Sequence, residues 1–174
     1  MSENTRTITN LRELLNFDVS KFTNAELHLK GVLHEWINQA SSIKLKGVLQ
    51  RYLDFVQKHI DKMELFYKEE NISAIGATNR VMEAFIEEAK EEISYCKEVA
   101  IRDACLLACI QGINHYKISL YGTAAAFANM LGMENYAHIF HEAEVNEKQI
   151  DDRLSQLAEH EINPLANAPG SIGD

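Results

Sequence analysis

Apolar residues recur every three to four positions along four long stretches of the chain. This spacing puts them on one face of an α-helix, and no stretch shows the sustained alternation of a β-strand. The predicted helices cover residues 20–40, 43–70, 98–131 and 134–161. Both prolines, Pro164 and Pro169, follow the last of these helices. We therefore predict an all-α domain over residues 1–162 and a flexible tail over 163–174.

The connections between the predicted helices differ in length. Only a few residues separate the first helix from the second and the third from the fourth, so each pair is expected to form an antiparallel hairpin. Between the hairpins lie a loop over 71–78 and an amphipathic helix over 80–95, whose acidic face is expected to be solvated. Gly132 follows the third helix as a predicted C-cap. Two hairpins joined by a long crossover are the plan of a ferritin-like four-helix bundle.

Charge and composition narrow the classes of partner. The formal net charge is −9 and no cluster of Lys or Arg offsets it, which argues against nucleic-acid binding. No apolar run reaches the roughly 18 residues of a membrane span, so a membrane protein is not expected. The first residues, MSENTRTITN, lack the basic and apolar regions of a secretory signal, and we expect a cytoplasmic location.

The cysteines Cys96, Cys105 and Cys109 are an odd number in a chain without a recognisable secretory signal. Cys105 and Cys109 are four positions apart on an apolar helix and therefore share a face. We expect buried free thiols rather than redox or metal-binding groups.

Polar residues interrupt or border the apolar stripe of every long helix. They are Glu26 on the first helix, Asp54 and Gln57 on the second, Asn114 and Lys117 on the third, and Glu147 on the fourth. A buried carboxylate is costly unless it finds a cation, a metal or water. Ferritin-like proteins build a carboxylate-bridged di-metal site from such positions near the middle of the bundle.

Simpler interpretations of these residues stay open. Thr23 and Glu26 fit a capping box, which would put Glu26 at an exposed helix start. Asp54 is also consistent with a solvated position at the edge of its stripe. His115 is one step off the stripe, as expected for a packed or hydrogen-bonded histidine. One further group has spacing suited to a surface metal: His138, His141 and Glu142.

Three stretches carry a family resemblance: MEAFIEEAKEEI, RDACLLACIQGINHYKISLYGTAAAFANMLG and KQIDDRLSQLA. With them the chain resembles, over about residues 8–160, the YciE/YciF family of ferritin-like bacterial stress-associated proteins, whose biochemical role is not settled. The third helix of that family reads like V-E-H-Y-E-I-A-x-Y-G-T-L, and the run here is INHYKISLYGT. Asn114 and Lys117 stand where the family has glutamates.

The resemblance extends to the other ligand-bearing helices. The family's A-E-K-Q-L on the first helix is matched by AELHL, which retains Glu26. Its E-x-x-H pair on the second helix aligns with Asp54 and Gln57, so the imidazole is lost. On the fourth helix a run of three glutamates, a lysine and a later aspartate is matched by Val145, Asn146, Glu147, Lys148 and Asp151. The resemblance leaves four candidate metal ligands: Glu26, Asp54, Glu147 and Asp151.

Lys117 reverses the charge at one ligand position. Two divalent cations normally balance about four carboxylates. We expect the Lys117 ammonium to lie about 3 Å from the carboxylates of Glu26, Asp54 and Glu147, in place of metal. Asn114 would supply hydrogen bonds to the same vestigial site. The resulting prediction is a stress-associated protein without a cofactor, structural or interacting rather than enzymatic, and assembled as a homodimer.

Two other functions remain open. One is an iron- or manganese-binding oxidoreductase with a reduced carboxylate site made from the four candidate ligands, with His115 beside it. The other is a binding module whose protein partner, of unknown identity, contacts the acidic helix over 80–95. No Ser-His-Asp order, glycine-rich phosphate loop or Cys-x-x-Cys pair supports a hydrolase, nucleotide-binding or thioredoxin-like function.

Overall fold

Helices make up nearly all of the computed structural model, which describes residues 6–72 and 76–168. They are α1 (Leu11–Gln39), α2 (Ile43–Glu69), α3 (Arg80–Tyr95), α4 (Val99–Met130), α5 (Glu134–Leu157), a π-helical turn (Ala158–Ile162) and α6 (Asn163–Asn167). The described residues contain no β-strand, which confirms the all-α prediction. None of the described helices combines the length and apolar content needed to cross a membrane.

The four long helices pack in a closed ring, in which α1 and α5 each contact both α2 and α4. Contacts along both hairpins give the helix directions. The pairs are Arg12 with Glu70 and Glu26 with His59 between α1 and α2, and Gln111 with Ser155 and Asn114 with Glu147 between α4 and α5. Each hairpin is therefore antiparallel. Because Tyr52 contacts Glu147 and Glu69 contacts Tyr136, α2 also runs antiparallel to α5.

The crossover between the hairpins is the helix α3, which packs on α1 and α4. It begins and ends as the sequence predicts, and the Asn79 side chain caps it by accepting a hydrogen bond from Met82 N at 3.0 Å. The predicted loop before it includes residues 73–75, which lie outside the described residues. The acidic face of α3 is exposed at Glu87, Glu88, Glu91 and Glu92, as expected for a solvated surface.

The first helix begins well before residue 20, where the apolar pattern had placed its start. Asn10 is the N-cap, because its side chain accepts a hydrogen bond from Glu13 N at 2.9 Å. In return, the Glu13 carboxylate accepts one from Thr9 N at 2.8 Å. Such reciprocal bonds satisfy amide groups that would otherwise lack partners at a helix start. The prediction for the start of α1 was therefore wrong.

The other predicted helix ends agree more closely with the structure. Gly132 follows α4 with φ 70°, and Met133 N donates to Ala128 O at 2.9 Å, which is the expected glycine C-cap. At the C-terminus the structure differs from the predicted tail, because α6 continues the helical path and packs on α4. Pro164 is tolerated in the first turn of α6, where no intrahelical donor is needed. The remaining tail residues, 169–174, lie outside the described residues.

The core consists of two apolar clusters that meet at the same level on all four long helices. On α1 one cluster ends at Phe22 and the other begins at Ala25. On α5 the corresponding boundary lies between Ala143 and Ile150. The residues at this boundary are polar and buried, so the bundle has a polar layer between two apolar halves.

Candidate functional site

Lys117 lies at the centre of the polar layer, with only 1% of its side chain exposed. Its Nζ atom is 2.5 Å from Glu147 Oε1 and 2.9 Å from Glu26 Oε2. It also donates to Tyr52 OH at 3.4 Å and lies 4.6 Å from the centroid of that ring. An ammonium has three donors and no acceptor. The ammonium thus contacts oxygen atoms from the other three long helices, donating to Glu147 and Tyr52 and forming an ion pair with Glu26.

The carboxylate oxygens of Glu26 and Glu147 are shared among further donors. Glu26 Oε1 accepts a hydrogen bond from Tyr121 OH and lies 3.1 Å from His59 Nδ1. Glu147 Oε2 accepts from Tyr52 OH at 2.6 Å and from the Asn114 amide at 2.7 Å. Since Lys117 contacts the two remaining oxygens, every oxygen of both carboxylates has a donor nearby.

His59 completes the layer from α2 and is buried between the hairpins. Its Nε2 atom lies 3.4 Å from the Asn146 side-chain amide nitrogen. When that amide donates to Nε2, the hydrogen on Nδ1 is directed at Glu26 Oε1, 3.1 Å away. The ring stacks on Phe55 and meets Tyr121 edge-on, which fixes its orientation.

Burial and charge pairing act in opposite directions on the ionisable groups. Burial alone would raise the pKa of the Glu26 carboxyl, but attraction to Lys117 and hydrogen bonds from His59 and Tyr121 lower this pKa to about 2. Burial likewise disfavours the charged form of Lys117, yet Glu147 and Glu26 outweigh it and raise the pKa of its ammonium. Glu26 and Lys117 are therefore both ionised at neutral pH.

Tyr52 and Tyr121 act as neutral donors in this layer. Burial, followed by the negative charge of Glu147, holds the pKa of the Tyr52 phenol well above its usual range. Burial and Glu26 have the same effect on the pKa of Tyr121. Both phenols thus keep their protons, and each donates to a carboxylate: Tyr52 to Glu147 and Tyr121 to Glu26. The bond from Tyr121 helps to lower the pKa of Glu26.

The structure brings together four of the residues singled out in the sequence: Glu26, Asn114, Lys117 and Glu147. It does not bring Asp54 to them, because the Asp54 side chain is exposed on the outer face of α2. This corrects the expectation that Asp54 faces Lys117. Asp151 lies away from the ammonium, where it accepts from Gln111 and pairs with the exposed His115 at 2.8 Å.

The capping-box interpretation of Glu26 was wrong. Glu26 is 1% exposed and lies in the middle of α1, far from the helix start. The Thr23 hydroxyl instead lies 2.9 Å from Val19 O, to which it donates, and 3.1 Å from Tyr67 OH, from which it can accept. The upstream extension of the apolar stripe, rather than the local capping motif, indicated the correct environment.

His59 is the main site residue that sequence reasoning missed. It lies three positions after Val56 and four before Met63, both of which are fully buried on the same face of α2. This spacing was a signal for a core position. Val56 and His59 therefore match the family's E-x-x-H pattern better than Asp54 and Gln57 do. In this alignment the imidazole is kept and the carboxylate is lost. Gln57, which the resemblance aligned with the histidine, instead donates to Asp61 on the outer face.

Three side chains of the polar layer carry atoms that can ligate a metal. Glu26, His59 and Glu147 each offer a ligand atom within 4.8 Å of the others. A two-metal centre in a helical bundle uses about four carboxylates and two imidazoles. Here Lys117 Nζ lies against both carboxylates, in the position that a cation bridging them would need. This donor set does not fit a two-metal centre.

The fold and this layer define an all-helical protein whose buried carboxylates are paired with an internal lysine. Residues 10–167 match the family model described as a domain of unknown function, DUF892. The chain belongs to this family. Protein YciF of Escherichia coli strain K12 is a relative, 32% identical over 144 residues that span 82% of this chain and 87% of YciF.

Two solved structures are similar to this chain. The crystal structure of the E. coli stress protein YciF matches with a TM-score of 0.85 and 29% identity, covering 90% of this chain and 99% of that one. YcfI from Rhodopseudomonas palustris, described as a candidate structural protein, matches with a TM-score of 0.83 and 26% identity. That match covers 87% of this chain and 96% of YcfI. The chain is therefore similar to these proteins over nearly its whole length.

Proposed function

We propose that this protein is a ferritin-like four-helix bundle in which a buried salt bridge replaces the di-metal centre. In this proposal it is a structural or interaction protein rather than an enzyme. The observation that carries it is the contact of Lys117 Nζ with Glu147 at 2.5 Å and with Glu26 at 2.9 Å. The ammonium supplies the positive charge that the buried carboxylates need.

The helix directions support the ferritin-like part of the proposal. Two antiparallel hairpins are joined by α3, and α2 runs antiparallel to α5, as expected when a long crossover links the hairpins. The polar layer crosses all four long helices at one level, where bundles of this class hold their metals.

The side chains that stand at the former ligand positions support the loss of the metals. Asn114 and Lys117 occupy positions where the resembling family has acids, and Val56 is apolar in the position three before His59. A neutral amide, a cation and a methyl-bearing side chain supply none of the anionic oxygens that iron or manganese would need. The remaining acids, Glu26 and Glu147, balance one ammonium more readily than two divalent ions.

The relatives suggest the cellular setting. YciF is called a stress protein and YcfI a candidate structural protein, and we carry both descriptions to this chain as proposals. A cytoplasmic location and a homodimer belong to the same proposal. Sedimentation equilibrium of the full chain measures the assembly directly, and a monomer at micromolar concentration contradicts the homodimer.

The metal content of the protein tests the proposal. The full chain, carrying Cys105→Ser and Cys109→Ser so that the thiol pair on α4 does not contribute, is incubated anaerobically with Fe(II) and desalted, and iron per chain is measured by plasma mass spectrometry. We expect almost none. Iron that stays bound in this protein and disappears on Glu147→Gln would overturn the proposal.

A designed variant gives the positive control. Val56→Glu, Asn114→Glu and Lys117→Glu together restore the missing acids around Glu26, Glu147 and His59. We expect this variant to retain Fe(II) if its helix content, measured by circular dichroism, matches that of the parent. Failure of a folded variant to gain iron would mean that the layer did not originate as a metal site.

An iron- or manganese-binding oxidoreductase is the second candidate, favoured by the mutual proximity of Glu26, His59 and Glu147. It would use a single ion and require Lys117 to move away from both carboxylates. The sequence had suggested Asp54 and Asp151 as further ligands of this ion. Asp54 is exposed on the outer face of α2, and Asp151 pairs with His115, so neither belongs to this group. Oxygen or peroxide consumption by iron- or manganese-loaded protein, abolished by His59→Ala, distinguishes this candidate from the first.

A further inference from the structure

A second group of metal-ligating side chains lies on the surface, where α3 packs on α4. Cys105 and Cys109 are one turn apart on α4, and Glu92 faces them from α3. The Cys109 thiol donates to Glu92 Oε2 at 3.5 Å. Cys96, at the end of α3, donates to the backbone oxygen of Glu92 at 3.4 Å. All three cysteines are free and half-buried, so the expectation of full burial was wrong. The expectation that they have no redox or metal-binding role stays a prediction.

The spacing of the group suits one tetrahedral ion. The carboxylate oxygen of Glu92 and the sulfurs of Cys105 and Cys109 all lie within 4.8 Å of one another. Zinc bonds of about 2.3 Å to sulfur and 2.0 Å to oxygen place a tetrahedral sulfur–oxygen pair about 3.5 Å apart. The 3.5 Å between Cys109 Sγ and Glu92 Oε2 already has this value.

The group is accessible from solvent. A groove of about 250 Å³ runs between α3 and α4, and both Glu92 and Cys109 line it. Glu88, one turn before Glu92, is a second acid in the same groove. A hydrated cation can therefore approach through an acidic opening, and the fourth position of the ion can keep a water molecule.

Burial and neighbouring groups disfavour the thiolate forms of both cysteines in the absence of a cation. Burial, and then the neighbouring Cys105 and Glu92, raise the pKa of the Cys109 thiol to about 12. Burial, and then the neighbouring Cys96, also raise the pKa of the Cys105 thiol. A bound cation supplies the positive charge that these surroundings lack, and it releases the thiol protons.

We propose that Glu92, Cys105 and Cys109 form a binding site for a thiophilic divalent cation of the zinc class. On binding, the two thiols each lose one proton to solvent, and the two thiolates and the Glu92 carboxylate coordinate the ion. Because Glu92 is on the crossover helix and both cysteines are on α4, the ion links α3 to the second hairpin. The site is independent of the polar layer around Lys117.

Co(II) is the probe for this site, because its thiolate complexes have a charge-transfer absorption that oxygen or imidazole ligands do not produce. Titration of the reduced full chain is expected to give one Co(II) per chain with this band, and Zn(II) should displace it. In weakly buffered solution, each bound ion should release two protons. Cys105→Ser and Cys109→Ser should each lower the affinity by about tenfold or more, and Glu92→Gln by a similar factor.

Two matched variants serve as controls. Cys96→Ser removes a neighbouring thiol that is outside the three mutually close ligands, and Glu87→Gln removes an exposed acid of α3 that does not line the groove. Both should keep the band and the affinity within about threefold, well below the tenfold steps of ligand loss. Three results would overturn the proposal: Co(II) bound without the band, a band that survives loss of both Cys105 and Cys109, or no proton release from the unaltered protein.

Discussion

Lys117 Nζ lies 2.9 Å from Glu26 Oε2, although the two residues are on different hairpins and both side chains are 1% exposed. The contact joins a cation and an anion that the bundle interior would not tolerate separately. Removing one partner of such a pair leaves an unpaired buried charge, whereas removing all the charges together does not. The energetic role of the layer can therefore be measured by comparing single and combined substitutions.

The first prediction concerns Lys117→Met. This variant replaces Lys117 with an uncharged, unbranched side chain that is one atom shorter and leaves Glu26 and Glu147 without their cation. We expect the free energy of unfolding, measured by urea denaturation, to fall by about 3–5 kcal/mol.

The triple variant Lys117→Met, Glu26→Gln, Glu147→Gln is the control for that measurement. It removes all three charges while its amides still accept hydrogen bonds from the tyrosines of the layer. We expect the triple variant to be more stable than the single one. If the single variant is no less stable than the native protein, Lys117 is not needed to balance the buried carboxylates.

The second prediction concerns acid pH. The pKa of Glu26 falls from an ordinary 4.5 to about 2 on folding, so the unfolded chain binds the proton more tightly. Its contribution to stability is complete above pH 4.5 and is lost as the pH falls through about 2. We expect the free energy of unfolding to decrease over this window, and Glu26→Gln to show a smaller decrease. Equal slopes for both proteins, from denaturation curves at successive pH values, would contradict the assignment.

The third prediction concerns Asp103, which is 4% exposed on α4. Its two carboxylate oxygens accept hydrogen bonds from the backbone amides of Ser41 and Ser42, each at 2.8 Å, and so hold the link between α1 and α2. We expect Asp103→Ala to lower the free energy of unfolding by about 2–4 kcal/mol. Asp152→Ala, which removes an exposed carboxylate from α5, should change it by less than about 0.5 kcal/mol. Similar values for the two variants in thermal denaturation would rule out this role for Asp103.

The fourth prediction compares two glycines that both have open space around the missing side chain. Gly132 has φ 70° and ends α4, whereas Gly47 is an exposed position inside α2. Gly132→Ala should destabilise the protein by about 1–2 kcal/mol, because an L-residue is strained in the left-handed region. Gly47→Ala should stabilise it by about 0.5–1 kcal/mol through helix propensity. Effects of the same sign in parallel urea titrations would contradict the conformational explanation.

Helix periodicity predicted α2 and α3 well because their apolar stripes begin at their first turns. The first helix was predicted to start late, although Leu15 and Val19 already continue its apolar stripe upstream of residue 20. Its start depends instead on Asn10 and Glu13, whose side chains satisfy backbone amides. Such capping bonds are visible in sequence only as short polar patterns, which are common in loops as well.

The candidate site was predicted in part for a similar reason. Glu26, Lys117 and Glu147 interrupt clear apolar stripes, so their burial followed from spacing alone. The face of α2 was harder to assign, because Asp54 borders the stripe and offered the carboxylate that the resemblance implied. The structure turns Asp54 outward and His59 inward. A polar residue beside a stripe therefore needs packing information before it can be assigned to either side.

The division of the polar layer between the hairpins also fixes how far they can slide along each other. Glu26 and His59 come from one hairpin, and Lys117 and Glu147 from the other. A slip of one helical turn, about 5.4 Å, would give each leucine another apolar neighbour but would separate the ammonium from Glu26. Axial misalignment is thus penalised by charge, even where the apolar side chains would accept it.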